Sequence, residues 1–310
     1  MALYAFDGTW NREQDQAHYS KNSNVVKFAK AYLGRKAVYQ KDGDALHIVE
    51  DDDTQYIDGV GTRHGLAGKV AGGIFGAGGR TRIREAVKRV ERKFAEGDRD
   101  IDVIGFSRGA ALALHFVNVL ADDGIKTPDG KRIKPRVRFL GLWDVVASFG
   151  IGIDVGPFAF QDINLGWKLK LPPIVDRCFH AIATDERRET FRATRVQGAY
   201  EVWFRGVHSD VGGGNDNVAL NNIPLAWMLR KAAAVGVPVD TKIAAMLPVN
   251  ADAAVRPSKT DPEKDPFRVI GPKERIHHTV KVRKHQDCQN PPAGCLVETA
   301  ELEAKRISLV

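Results

Sequence analysis

The sequence predicts an α/β fold, a mostly parallel central sheet flanked by helices. Two observations carry this reading. Short apolar, β-branched runs alternate with longer helix-forming stretches over residues 1–235, the pattern of strand–helix–strand crossovers. Asp7, Ser107, Asp144 and His208 each stand just past the end of such a run, and open parallel sheets gather functional side chains at the carboxyl ends of their strands.

Residues 2–6 form the first strand, stopped by Asp7-Gly8-Thr9-Trp10-Asn11. Ser23 offers an N-cap hydroxyl to a helix through Val25–Leu33, closed by Gly34. A second strand ends at Tyr56-Ile57-Asp58, ahead of Gly59-Val60-Gly61-Thr62. Residues 80–95 put Ile83, Ala86, Val87, Val90 and Phe94 on one face of a basic helix. Ile101–Ile104 is a buried strand, and Gly105-Phe106-Ser107-Arg108-Gly109 turns it into a helix from Ala110. Val137–Trp143 delivers Asp144; residues 177–184 and 199–205 are two further strands, the second delivering His208. Leu220–Ala234 is an apolar helix with Pro224 tolerated in its first turn. Residues 250–267, charged and proline-containing, read as a surface excursion. The expected organisation is one catalytic domain over 1–249, with a cap or lid insertion around 147–175, and a C-terminal appendage over 250–310.

The formal charge of +7 and pI near 9.2 favour an anionic partner. The basic residues are dispersed, with no dense basic block interleaved with aromatics, so the charge reads as a solvated, mildly basic surface; no nucleic-acid partner is expected, and a membrane surface stays open. Cys178, Cys288 and Cys295 make no disulfide framework; a Cys288–Cys295 bridge is the pairing left open. Met1-Ala2-Leu3-Tyr4-Ala5-Phe6-Asp7 lacks the basic and apolar segments of a signal peptide, so synthesis in the cytoplasm is expected. No apolar run reaches the ~18 residues of a membrane-spanning helix.

A strand, a Gly-x-Ser-x-Gly corner and a helix make a nucleophile elbow, as in α/β-hydrolases. The corner lifts a serine hydroxyl above the sheet, but that hydroxyl needs an adjacent, oriented base to attack. Ser107, Asp144 and His208 follow the chain order serine, acid, histidine. For the acid, Asp185 and Asp210 are rivals: Asp185 precedes Glu186-Arg187-Arg188 and suits a salt bridge, while Asp210 suits bracing the His208 loop. The N–H of Arg108 and one from Gly8 or Thr9 are expected to form the oxyanion hole. Asp7 is expected to hold its loop by hydrogen bonds. Such a reaction needs no cofactor, and none is expected.

Residues 66–79, rich in glycine, lack the Gly-Lys-Ser/Thr ending of a phosphate-binding loop and read as a lid or as close helix packing. Residues 147–175 carry Phe149, Ile151, Phe158, Phe160 and Trp167 without regular spacing and read as a cap. His277, His278, His285, Cys288 and Cys295 show no close-set pair of metal ligands, so no metal site is expected and the histidines read as exposed on a basic strand.

Phe6-Asp7-Gly8-Thr9-Trp10-Asn11, Gly59-Val60-Gly61-Thr62, the elbow, Gly141-Leu142-Trp143-Asp144-Val145-Val146 and Trp203 through Gly214 occur in that order. With Ala183-Thr184-Asp185-Glu186-Arg187-Arg188 and Ile223-Pro224-Leu225-Ala226-Trp227-Met228 they cover roughly residues 1–235. The set resembles the bacterial α/β-hydrolase domain family that includes class 1 lipase effectors of the type VI secretion system. The resemblance implies that Ser107, Asp144 and His208 are the triad of a phospholipase A-type ester hydrolase. It also implies secretion into a target cell, with a secretion-apparatus or immunity protein as partner. Two other readings stay open here: a hydrolase of a soluble ester or thioester, and a non-catalytic protein that docks a membrane or partner on the same fold.

Overall fold

The computed structural model describes residues 1–9, 11–14, 20–36, 38–42, 45–50, 52–59, 73–147, 168–255, 265–282, 288–303 and 305. The strands are β1 (Ala2–Phe6), β2 (Val38–Asp42), β3 (Ala45–Glu50), β4 (Thr54–Ile57), β5 (Asp100–Phe106), β6 (Ile125–Lys126), β7 (Arg132–Ile133), β8 (Arg136–Trp143), β9 (Cys178–Ala183), β10 (Tyr200–Phe204), β11 (Arg275–His277) and β12 (Leu296–Glu298). The α-helices are α1 (Asn24–Ala31), α2 (Gly73–Ala95), α3 (Arg108–Asp123), α4 (His208–Gly212), α5 (Val218–Ala234), α6 (Thr241–Met246) and α7 (Ala300–Glu303). Eight strands form one sheet in the order β12-β11-β10-β9-β8-β5-β1-β4, and every neighbouring pair in it is parallel. The fold expected from the alternating pattern is the fold observed. Two antiparallel hairpins, β2–β3 and β6–β7, stand outside the sheet.

Side-chain alternation explains why the strands read as unbroken apolar runs. In β1, Leu3 and Ala5 join one buried cluster with α1 and α5, while Ala2, Tyr4 and Phe6 join another with α2 and α3. In β8, Phe139 and Trp143 face the first cluster and Leu140 and Leu142 the second. Helices cover both faces, so both sets of alternate residues are mostly apolar.

Local boundaries follow from caps. Ser23 caps α1 by accepting from Val26 N–H at 3.3 Å, and the helix stops at Ala31, before Gly34. On α2, Ile83, Ala86 and Val90 are buried as the periodicity requires, but the helix begins at Gly73 rather than residue 80. The α5 helix begins at Val218, so Pro224 is inside it rather than in its first turn. Residues 66–72, 148–167 and His285 lie outside the described residues, and with them most of the lid and cap readings. Of the cap segment, Leu169, Leu171 and Ile174 pack against the α3-side core. Among the described residues no helix is long and apolar enough to cross a membrane.

Residues 250–310 differ most from expectation. Instead of an appendage they supply β11 and β12, which continue the central sheet beyond β10. The physical anchor is Glu298, fully buried at the end of β12. It pairs with the equally buried Lys231 of α5 at 2.6 Å, and accepts from Tyr200 Oη at 2.6 Å and Trp227 Nε1 at 3.1 Å. His277 is likewise not exposed: it is buried, stacks on Phe204 at 4.7 Å and bonds Glu303 at 2.8 Å. No Cys288–Cys295 bridge forms; both residues keep their thiols.

Removing the Glu298 carboxylate strands the buried Lys231 ammonium, the buried Trp227 N–H and the half-buried Tyr200 hydroxyl. Glu298→Ala should therefore cost about 3–5 kcal/mol, measured by chemical denaturation against the wild type.

Candidate active site

Ser107 sits between β5 and α3 at φ 59°, ψ −129°, a conformation a side-chain-bearing residue adopts only when its surroundings impose it. Two glycines make the corner possible. A Cβ on Gly105 would lie 2.7 Å from Ala110 Cα, and one on Gly109 would lie 2.3 Å from the Asp7 carbonyl oxygen. The first turn of α3 thus presses against the end of β1, and Ser107 N–H donates to Trp143 O of β8 at 3.0 Å. The amides opening α3, Arg108 first, come from a turn with no helical carbonyl to offer them.

His208 opens α4, and its ring lies between Phe106 at 4.6 Å and Phe191 at 4.8 Å between centroids. Its Nε2 is 2.8 Å from Ser107 Oγ and its Nδ1 2.6 Å from Asp144 Oδ2. The ionised carboxylate only accepts, so Nδ1 donates to it and Nε2 keeps a lone pair for the serine proton. All three residues are buried: Ser107 at 3%, His208 at 5% and Asp144 at 0% exposure.

Asp144 also has a positive φ, 41°. Its corner is held by Asp144 N–H donating to Ala181 O at 2.7 Å and Val145 N–H donating to His180 Nε2 at 3.1 Å. His180 Nε2 accepts there, so Nδ1 donates to Glu201 at 3.0 Å. Asp144 Oδ1 accepts from Ala183 N–H at 2.9 Å. Arg268, in the stretch after residue 250, reaches both oxygens: Nη1 to Oδ1 at 2.7 Å and Nη2 to Oδ2 at 3.0 Å. Sequence reasoning missed Arg268 and His180. Arg268 is 124 residues from Asp144 and carries no local motif.

The rival acids are engaged elsewhere. Asp185 forms a buried pair with Arg205 at 2.9 Å and accepts from Gly206 N–H at 2.7 Å. Asp210 braces α4, accepting from Val207 N–H at 3.0 Å, Asn215 at 2.8 Å and Asn217 at 2.7 Å. Asn221 donates to the Ser209 and Asp210 carbonyls at 2.9 and 3.1 Å, and Asn24 to Val211 O at 2.9 Å. Side-chain amides thus satisfy the carbonyls that so short a helix leaves open.

Asp7 holds its loop: Oδ1 accepts from Gly8 N–H at 2.7 Å, and Oδ2 from Ser23 and Tyr56 hydroxyls, both at 2.7 Å. Gly8 therefore spends its N–H on Asp7 and is a poor second oxyanion donor, contrary to one expectation. Its neighbour Thr9 has a buried hydroxyl without a hydrogen-bond partner among the described residues.

The charges suit proton transfer. Burial works against the ionised form of Asp144, but the Arg268 guanidinium and the His208 hydrogen bond outweigh it and hold the carboxyl well below the usual carboxylate range. Burial lowers the His208 pKa; Asp144 raises it again, Arg268 opposes that, and the net position is below the ordinary imidazole value. Near neutral pH the site holds a charged acid and an uncharged base. Elsewhere, ligand atoms of His277, His278 and Glu303 lie within 4.8 Å of one another. Glu303 is claimed by Arg230, and both His277 nitrogens are hydrogen-bonded, to Thr279 and Glu303, which leaves this cluster poorly suited to a cation.

The family described as "T6SS, Phospholipase effector Tle1-like, catalytic domain" matches the chain over residues 3–134 and 126–231. No curated protein matches it. Among solved structures, the chain is 27% identical to the Tle1 effector bound to the VgrG spike from the type 6 secretion system, with a TM-score of 0.46, covering 69% of this chain and 50% of that one. It is 21% identical to an uncharacterized protein from Pseudomonas aeruginosa, with a TM-score of 0.52, covering 81% of this chain and 49% of that one. The chain spans about half the length of these structural relatives, and the second likeness speaks to the fold.

A side chain at Gly109 has nowhere to go except into β1. Gly109→Val should destabilise the protein by about 3 kcal/mol and abolish labelling of Ser107 by a fluorophosphonate, read by denaturation and by intact-protein mass spectrometry.

Proposed function

We propose that this chain, which belongs to the Tle1-like phospholipase effector family of the type VI secretion system, hydrolyses phospholipid acyl esters through Ser107, His208 and Asp144. The observation that carries the proposal is the continuous hydrogen-bonded chain from Ser107 Oγ through the His208 ring to Asp144, closed at 2.8 and 2.6 Å in a buried site.

In this reading Ser107 Oγ attacks the ester carbonyl carbon as its proton passes to His208 Nε2, and Asp144 stabilises the imidazolium. The oxyanion is held by the N–H of Arg108 and that of Thr9, since the Gly8 N–H is already committed to Asp7. The C–O bond then breaks, the proton on Nε2 goes to the departing alkoxide, and the acyl group stays on Ser107. Water, deprotonated by His208, releases the fatty acid. The products are a fatty acid and a lysophospholipid. The family supports delivery by the type VI apparatus to a target cell, with a membrane surface as the place of action, and an immunity protein follows as a partner in producing cells. The catalytic unit proposed over residues 1–249, with the insertion at 147–175, is completed by the later stretch that carries Arg268, β11 and β12.

The first test is incubation of the chain and its Ser107→Ala variant with mixed phospholipid vesicles, with released lipids identified by mass spectrometry. Fatty acid plus lysophospholipid should appear with the wild type, and the variant should be about 10⁶-fold slower. If no lipid is released while Ser107 still reacts with a fluorophosphonate, the substrate is a soluble ester or thioester. A folded chain with an unreactive Ser107 would instead be a binding protein. The lowered pKa of His208 sets the pH dependence: its base form persists as pH falls, so the rate should reach half its plateau only below the ordinary imidazole value of about 6.5.

A further inference from the structure

We propose that Arg268 is a positioning residue of this site, clamping both oxygens of Asp144 so that Oδ2 meets His208 Nδ1. The proposal rests on the hydrolase reading above and names a part of the machinery outside the region matched to the family, which ends at residue 231.

A carboxylate at zero exposure, facing only an uncharged imidazole and one amide, would be a buried charge without a counter-ion, a situation that costs several kcal/mol. Arg268 supplies the counter-charge as a two-point fork, at 2.7 Å to Oδ1 and 3.0 Å to Oδ2, the oxygen that also meets His208. A bidentate fork also fixes the carboxylate plane, which a point charge does not. The guanidinium is itself oriented, because Nη1 donates to Ala183 O at 2.9 Å and Nη2 to Phe191 O. Phe191 is the residue whose ring packs on the His208 imidazole at 4.8 Å. One side chain therefore ties the acid, the end of β9 and the packing of the base together. Its backbone is tied down in turn: Arg268 O accepts from Gln289 Nε2, and Gln289 N–H donates to Asp185 at 2.8 Å.

The charges around the imidazole give the clamp a signature. His208 faces Asp144 from the end of β8, Arg268 from the stretch before β11, and Glu186 from the turn after β9, whose Oε2 accepts from His208 N–H at 3.2 Å. The cation opposes protonation of His208 and both anions favour it. Losing Arg268 removes the opposing charge, so His208 becomes easier to protonate and Asp144 harder to ionise. Both changes move the acid limb of the reaction toward higher pH.

The test uses the full chain as wild type, Arg268→Met, Arg268→Lys and Ser107→Ala, each checked for folding by circular dichroism. The readout is the rate of Ser107 phosphonylation by a fluorophosphonate across the pH range, which needs no lipid substrate. Arg268→Met should react about 10- to 100-fold more slowly at its plateau, as when a group orienting a reactive ligand is lost. Its acid limb should rise in pH, and added ethylguanidinium should restore part of the rate. Arg268→Lys keeps the charge but not the fork, so its limb should stay near that of the wild type while its plateau falls. A folded Arg268→Met with the wild-type plateau and limb overturns the assignment. If Arg268→Met does not fold, an undiminished plateau in Arg268→Lys overturns it. A folded wild type that labels no faster than Ser107→Ala overturns the hydrolase reading itself.

Discussion

Asp144 carries a charge in a place where water cannot reach it, and much of the site is arranged around that constraint. A buried carboxylate is tolerated only when its oxygens are met by donors and its charge by a cation. Here the donors come from Ala183 N–H, His208 Nδ1 and the two ends of the Arg268 guanidinium. Each is delivered by a different part of the chain, and each is fixed by further contacts of its own. The acid, the base and the stretch after residue 250 thereby become one unit. The His180–Glu201 pair belongs to the same logic one layer back, since it secures the Val145 amide next to the left-handed turn at Asp144.

The second constraint is steric. Ser107 is held at positive φ because α3 must start immediately after β5 while its first turn lies against the carbonyls closing β1. Backbone strain of this kind costs of order 1–3 kcal/mol and persists only where packing over-determines it. The packing is present on both sides: Phe6, Phe116 and the alanines of α3 on one face of the sheet, Phe106 and the His208 ring on the other. The imidazole is held at both nitrogens, 2.8 Å from Ser107 Oγ and 2.6 Å from Asp144 Oδ2.

The polar groups behind His208 show how a five-residue helix can carry such a residue. Alone it could not satisfy its own ends. Asp210 closes the amide end, and Asn221 and Asn24 close the carbonyl end from α5 and α1. These are side chains of the two helices that cover the same face of the sheet, so the packing of the core also sets the position of the base.

The parallel α/β architecture, the elbow and the strand-end positions of Ser107, Asp144 and His208 were legible in the sequence, because each is written locally. Strands buried on both faces are mostly apolar on both, with buried polar residues such as Asp102 and His180 each met by a partner. The elbow needs glycines at fixed offsets, and chemistry collects at strand ends. The same local reasoning could not tell which amide Asp7 captures, because Asp7 is placed by Ser23 and Tyr56 from other elements. Nor could it see that residues beyond 250 extend the sheet. β11 and β12 are three residues each, too short for a period to register, and are held by Glu298 meeting Lys231, Tyr200 and Trp227. Arg268 is the extreme case. Its partner is distant in sequence, and only the folded chain, which buries a charge at the end of β8, creates the need for a cation there.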